Sequence, residues 1–402
     1  MHTLKVPTEI NLLGHDEQAL RLARVYEGMR KAGIEAALVR DLANIYYLTG
    51  RIYRGFIYLD PALDGPRYFV RQPNHLTGHG VHMIRKPEEI PSKLAGEGLS
   101  HPGSIAIELD SVCYAESVRL AKAMGMQAPE TNLSPVMRGA RAVKTSFEQE
   151  LIKRSGVKHS LVYERIPHLY QEGMTDIEFQ IEIERASRLE GCLGIFRVGG
   201  DDMELFMGNI LTGENADTPS PYDFAMGGEG LDPSLPVGAN GTVIKPGLPV
   251  MVDANGNYTG YMTDMTRCFV ADKAREEAVK ANQLSIDICK ALAAMMKPGV
   301  AAADLYKKAF AMAEDAGMAD SFMGHRSHAG FVGHGLGIEI NEAPVIAPRS
   351  RDILEAGNVI AIEPKFVIPG MGAVGIENTY IVGKEAPAEC ATTAPEQIML
   401  LD

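Results

Sequence analysis

The chain has 402 residues, 46% hydrophobic and 23% charged, and its acidic surplus gives a net charge of −13. That composition excludes a disordered, collagenous or low-complexity protein, and the acidic surplus repels nucleic acid and anionic membrane, so neither is expected as a partner. The five cysteines are scattered without a CxxC pair, no apolar run approaches the ~20 residues of a membrane span, and the opening residues lack a signal-peptide core, which predicts a soluble cytoplasmic protein with reduced thiols.

Over 16–31, Leu20, Ala23, Val25, Tyr26 and Met29 recur near helical spacing, and Gly33 follows as a stop. Short runs at 36–39, 56–59, 68–70 and 105–107 read as strands and 115–126 as a helix, so the first third is a mixed α/β domain. A basic, polar stretch at 138–144 leads to Ser146, and Gln149 three residues on marks a helix start there. The domain boundary therefore falls at 140–146, dividing the chain into 1–142 and 143–402. Helical patterns follow at 146–170 and 175–189, and the Gly/Pro-rich segment 208–249 reads as a loop lining a pocket. Two hairpins then share one plan. Helical stretches at about 146–190 precede a pair of strand runs at 249–253 and 261–267, and stretches at about 273–316 precede another pair at 359–363 and 373–377. Two helix-pair-plus-hairpin halves predict a pseudo-symmetric α+β sheet covered by helices.

In an antiparallel hairpin, the numbers of facing residues add to a constant. Asp253 and Asp264 give 517, with the turn on Tyr258-Thr259, and Glu363 and Glu377 give 740, with the turn on Gly370. Both pairs are then cross-strand neighbours with Cβ atoms about 4.5–5.5 Å apart, where like charges are destabilising unless neutralised. Between glycines, in Gly333-His334-Gly335-Leu336-Gly337, an imidazole can approach a sheet without steric obstruction. Taken singly, each carboxylate reads as a solvated surface group. Together, four carboxylates and one imidazole suit two divalent cations (manganese, iron, cobalt or zinc), which would cancel the four negative charges and supply a hydroxide nucleophile.

Asp253, the run Asp264-Met265-Thr266-Arg267 eleven residues on, the Gly333–Gly337 run, Glu363-Pro364 and Glu377 together resemble the signature of the pita-bread family. That family includes prolidase, aminopeptidase P, methionine aminopeptidase and creatinase. Asn44-Ile45-Tyr46-Tyr47-Leu48-Thr49-Gly50 and Arg141-Ala142-Val143-Lys144 resemble its prolidase/creatinase branch. The resemblance covers nearly the whole chain. It implies a smaller α/β N-terminal domain over 1–142 and a pita-bread catalytic domain over 143–402. It further implies that Asp253, Asp264, His334, Glu363 and Glu377 bind a dinuclear metal centre, with Glu363 and His334 catalytic and Glu363 the proton acceptor for the attacking water. The implied activity is cleavage of short peptides next to proline, by a homodimer.

Three positions depart from the family pattern. The histidine seven residues after the metal-binding one is Asn341, in Asn341-Glu342-Ala343-Pro344; the loop at 219–230 has no histidine; and the arginine two residues before the last glutamate is Gly375. These changes favour, as the alternative, a relative that hydrolyses or cleaves a small nitrogen- or sulfur-containing metabolite. A third reading is a non-catalytic binding module, against which the five intact ligands speak. His325 and His328 are candidates to replace the lost groups, and Tyr222, Asp223 and Glu229 are candidates to line the pocket. His75, His79 and His82, without nearby acidic or cysteine partners, read as a solvated loop.

Overall fold

In the computed structural model, which describes residues 7–99, 103–200, 206–222 and 226–402, the contacts separate two units, Met1–Arg141 and Ala142–Asp402. The opening residues and Asp223, both used in the sequence reading, lie outside the described residues.

The first unit runs α1 (His15–Lys31), β1 (Ala37–Val39), α2 (Leu42–Thr49), β2 (Arg54–Leu59), β3 (Arg67–Gln72), β4 (Val81–Met83), α3 (Ile90–Gly96), β5 (Ala106–Ile107), α4 (Tyr114–Ala123), β6 (Thr131–Asn132) and α5 (Ser134–Ala142). Its strands form one six-stranded sheet in the order β4-β3-β2-β1-β5-β6. Leu38, Phe56, Phe69, Ile107 and Leu120 are buried in its core. Helix α2 is started by Asp41, whose side chain accepts from the backbone N–H groups of Ala43 and Asn44, and is closed by Gly50 in the left-handed conformation (φ 70°). The basic, polar stretch 138–144 is partly helical and partly buried. Its first part belongs to α5, where Ala140 and Arg141 are buried and the Arg141 guanidinium donates to Asn44 Oδ1 at 3.0 Å. The histidine group also differs from expectation. His79 pairs with Asp64 at 3.2 Å and His82 with Glu97, so two of the three have separate acidic partners.

The second unit begins with α6 (Ser146–Arg165). Its N-cap is Thr145, one residue before the expected Ser146, and the reciprocal partner is Glu148 and not Gln149. Thr145 Oγ1 accepts from the Glu148 N–H at 3.2 Å, and the Glu148 carboxylate accepts from the Thr145 N–H at 2.8 Å. The elements that follow are α7 (Asp176–Leu189), β7 (Gly208–Thr212), β8 (Pro249–Asn257), β9 (Met262–Ala271), α8 (Glu276–Met295), α9 (Ala302–Asp315), β10 (Gly333–Gly335), β11 (Glu342–Ile346), β12 (Val359–Ile362), β13 (Lys365–Ile368), β14 (Gly372–Gly375), β15 (Asn378–Ile381), β16 (Glu389–Cys390) and β17 (Met399–Leu401). They build the sheets β17-β9-β8-β7 and β11-β10-β12-β15-β16 and the hairpin β13-β14. Reciprocal backbone hydrogen bonds between Thr266 and Glu377 join the first sheet to the second. Helix α6 packs on β8 and β9, α7 on β7, and α8 on β13 and β14. One helix of each pair thus lies on a hairpin, α6 on β8–β9 and α8 on β13–β14, while α9 packs on α8 and β11.

Two expectations are corrected here. The segment 208–249 opens with a strand, because the apolar Ile210 and Leu211 are buried and β7 pairs antiparallel with β8, Asn209 opposite Asp253. In the β8–β9 hairpin the paired numbers add to 519 and not 517: Asp253 faces Thr266, and Asp264 faces Asn255. The turn includes Gly260, whose φ of 88° suits it to that bend. In the second half the constant 740 holds on both flanks of the glutamates, in Ile362↔Asn378 and in Lys365↔Gly375.

Candidate metal centre

Alternation along a strand puts residues two apart on one face. Asp264 is therefore on the face of β9 that carries Thr266, the partner of Asp253, and the two aspartates are diagonal neighbours. Glu363 and Glu377 stand between the β12–β15 and β13–β14 ladders, where their backbones bond elsewhere: the Glu363 N–H to Val332 O at 3.0 Å and the Glu377 N–H to Thr266 O at 3.1 Å. His334 sits on β10, between β11 and β12. Its flanking glycines are required by that position. A β-carbon at 333 would lie 2.4 Å from Ala361 O, and one at 335 would lie 2.2 Å from Ala343 O.

All five residues named from the sequence come together. Ligand atoms of Asp264, His334 and Glu377 lie within 4.8 Å of one another, as do those of Asp253, Glu363 and Glu377. His334 Nε2 is 3.4 Å from Glu363 Oε1 and 3.9 Å from Asp264 Oδ2. Thr266 Oγ1 donates to Glu377 Oε2 at 2.8 Å, and Thr379 Oγ1 accepts from the Asp264 N–H while donating to the Asp264 carbonyl. The buried Arg267 guanidinium donates to the carbonyls of Thr266, Glu377, Ala394 and Pro395 and to Asn378 Oδ1, fixing the backbone that carries Glu377.

One participant was not foreseen. Lys365, at 0% exposure, donates from Nζ to Asp253 Oδ2 at 2.7 Å, Glu363 Oε2 at 2.7 Å and Glu377 Oε2 at 3.4 Å. The strand period held the signal, since a lysine two residues after a buried glutamate shares its face. Its cross-strand partner is Gly375, where the resemblance implies an arginine. A positive charge therefore stands on the opposite strand. A β-carbon at 375 would meet Pro364 O at 2.6 Å and Lys365 Cα at 2.9 Å.

Electrostatics follow from this crowding. Burial and the neighbouring Glu377, Asp253 and Glu363 charges push the Asp264 carboxyl well above the carboxylate range. Burial, with Glu363 and Asp253, raises Glu377 to about 8 against the opposing pull of Lys365. Burial works against ionisation of Glu363, yet the Lys365 charge and the His334 hydrogen bond hold it down to about 2. Burial likewise opposes the Lys365 charge, but Asp253, Glu363 and Glu377 outweigh it and keep the ammonium protonated. One buried oxygen, Glu377 Oε1, has no hydrogen-bond partner. An orphaned carboxylate oxygen among carboxylates and an imidazole fits a divalent cation.

The remaining candidates lie elsewhere. His325 pairs with Asp217 at 2.9 Å and His328 Nδ1 bonds to Phe322 O at 2.9 Å; with Tyr222 they line a separate cavity that contains none of the five residues. Glu229 accepts from Asn240 Nδ2 at 3.0 Å. Asn341 both donates to and accepts from the Gly199 backbone, each at 2.7 Å. Glu342, beside it, accepts from the N–H groups of Ile338 and Glu339 and from the buried Lys144 at 2.9 Å, which fixes the loop following His334.

The model of metallopeptidase family M24 matches residues 150–384, and that of the creatinase/prolidase N-terminal domain matches 21–143. The uncharacterized peptidase YqhT of Bacillus subtilis (strain 168) is 31% identical over 398 residues, covering 95% of this chain and 100% of that protein. The Xaa-Pro dipeptidase of Pyrococcus horikoshii is 24% identical, covering 94% and 98%. The structure of an Xaa-Pro dipeptidase from Bacillus anthracis superposes with a TM-score of 0.79 at 21% identity, covering 96% and 100%. The chain belongs to metallopeptidase family M24, which implies divalent metal ions and a hydrolytic reaction. No helix among the described residues is long and apolar enough to cross a membrane.

Proposed function

We propose that this protein is a metal-dependent Xaa-Pro peptidase acting on short peptides, with Asp253, Asp264, His334, Glu363 and Glu377 as its metal ligands. The observation that carries this reading is the convergence of those five side chains from both hairpins and the glycine-flanked strand β10. Divalent cations held there supply Lewis-acid polarisation of a scissile carbonyl and acidify the attacking water. Glu363 Oε1, beside His334 Nε2, is the atom positioned to receive that water's proton. Thr266, Thr379 and Arg267 hold Glu377 and Asp264 in place for this work. The metal is manganese, iron, cobalt or zinc in this reading, the setting is cytoplasmic, in keeping with five free cysteines, and the resemblance supports a homodimer.

The test is hydrolysis of a panel of Xaa-Pro dipeptides by protein reconstituted with each of these metals, beside Glu363→Gln. Cleavage that falls by roughly 10²–10⁴-fold in the variant supports the reading. A metal-loaded protein that cleaves none of them favours the second reading, cleavage of a small nitrogen- or sulfur-containing metabolite. Asn341 favours that alternative, since its carboxamide is fully engaged with Gly199 where peptidases carry a histidine.

A further inference from the structure

Two groups of ligand atoms are available, and Glu377 belongs to both. They are not equivalent. In one, Lys365 Nζ already lies within hydrogen-bond reach of all three members, Asp253, Glu363 and Glu377. In the other, Asp264, His334 and Glu377, no ammonium or guanidinium among the described residues lies within 4.0 Å of the carboxylates apart from that same Lys365 on Glu377 Oε2.

We infer that Lys365 is a built-in cation occupying one of the two metal positions, so that the centre holds a single divalent ion, bound by Asp264, His334 and Glu377 with Glu363 at its edge. The inference rests on the metal-dependent reading above and replaces its two-ion form.

Three arguments carry it. The ammonium has three donors and meets three carboxylate oxygens, so its hydrogen-bonding capacity is filled. A divalent ion in that same triangle would stand directly against it, two cations sharing three oxygens. The stem gives no easy retreat: Lys365 is fully buried, its backbone is paired with Gly375 and its carbonyl accepts from the Met323 N–H at 2.8 Å. Withdrawn from the carboxylates, it would be a buried charge without compensation. Charge balance agrees. With all four carboxylates ionised and His334 neutral, as metal ligation requires, one ammonium leaves three negative charges; one divalent ion reduces these to one, and a second would reverse the sign of the site.

The experiment is metal content per chain by elemental analysis after saturation with manganese and removal of free ion, on the full-length protein, Lys365→Ala and Lys365→Met. Electron paramagnetic resonance of the manganese-loaded wild type is recorded alongside, which needs no variant to fold. One ion per chain in the wild type, with the signal of isolated manganese, rising to two in at least one variant, is the expected result. The wild-type ion should persist in Asp253→Asn and be lost in Asp264→Asn. Two ions in the wild type with a spin-coupled signal overturn the inference and leave the metal-dependent reading standing. One ion in the wild type and in both folded variants overturns Lys365 as the occupant. No bound metal in any of these proteins overturns the metal-dependent reading itself.

Discussion

Glu108 shows what burial does to a single carboxylate away from the centre. It is wholly buried and accepts from the N–H groups of Arg40 and Asp41 and from Asn44 Nδ2, yet desolvation and the nearby Asp41 charge push it from about 4.5 up to about 7. The folded chain therefore holds this proton more tightly than the unfolded chain. Its stabilising contribution is complete below about pH 4.5 and is lost as the pH rises towards 7, on the order of 3 kcal/mol in all. Thermal midpoints across that window should fall with rising pH, and Glu108→Gln should fall less steeply; equal slopes would remove Glu108 as the cause. The five site residues were legible because their types and spacing narrow the chemistry. Lys365 was not, because a lysine read singly is a surface residue, and two of its partners lie 112 and 12 positions away along the chain.

At the scale of elements, the first hairpin differs from its expected register by two residues, and that even number is why the site survives the difference. An odd slip would have sent Asp253 and Asp264 to opposite faces. Caps are legible to within a residue, as at α6, where Thr145 and not Ser146 closes the reciprocal pair. Thr145→Ala should cost about 1 kcal/mol, seen as a lower urea midpoint at unchanged slope; an unchanged midpoint would mean that packing on β8 and β9, not the cap, sets the start of α6. Strand β7 escaped notice because its short apolar run opens a segment dominated by glycine and proline, and α5 because its basic residues look like a linker until Arg141 finds Asn44.

At the scale of the molecule, the pseudo-symmetric plan was readable from two helix-pair-plus-hairpin halves, whereas the join between them was not. It depends on Thr266 and Glu377, 111 residues apart, meeting as one antiparallel bridge. Because Lys365 already offsets part of the negative charge, chelation should lower the melting temperature without unfolding the protein. The unfolding free energy should rise by about 1.4 kcal/mol for each tenfold rise in free metal above the dissociation constant. Unfolding on chelation alone would show that the lysine does not sustain the cluster. The pairing of Lys365 with Gly375 also bears on which strand can carry the positive charge. No β-carbon fits at 375 while the Pro364 carbonyl and the Lys365 backbone stand where they do. An arginine at 375 would therefore require the opposite strand to shift. Position 375 thus limits how a cation can be supplied to the cluster: from the 365 side the backbone already accommodates it, and from the 375 side it does not.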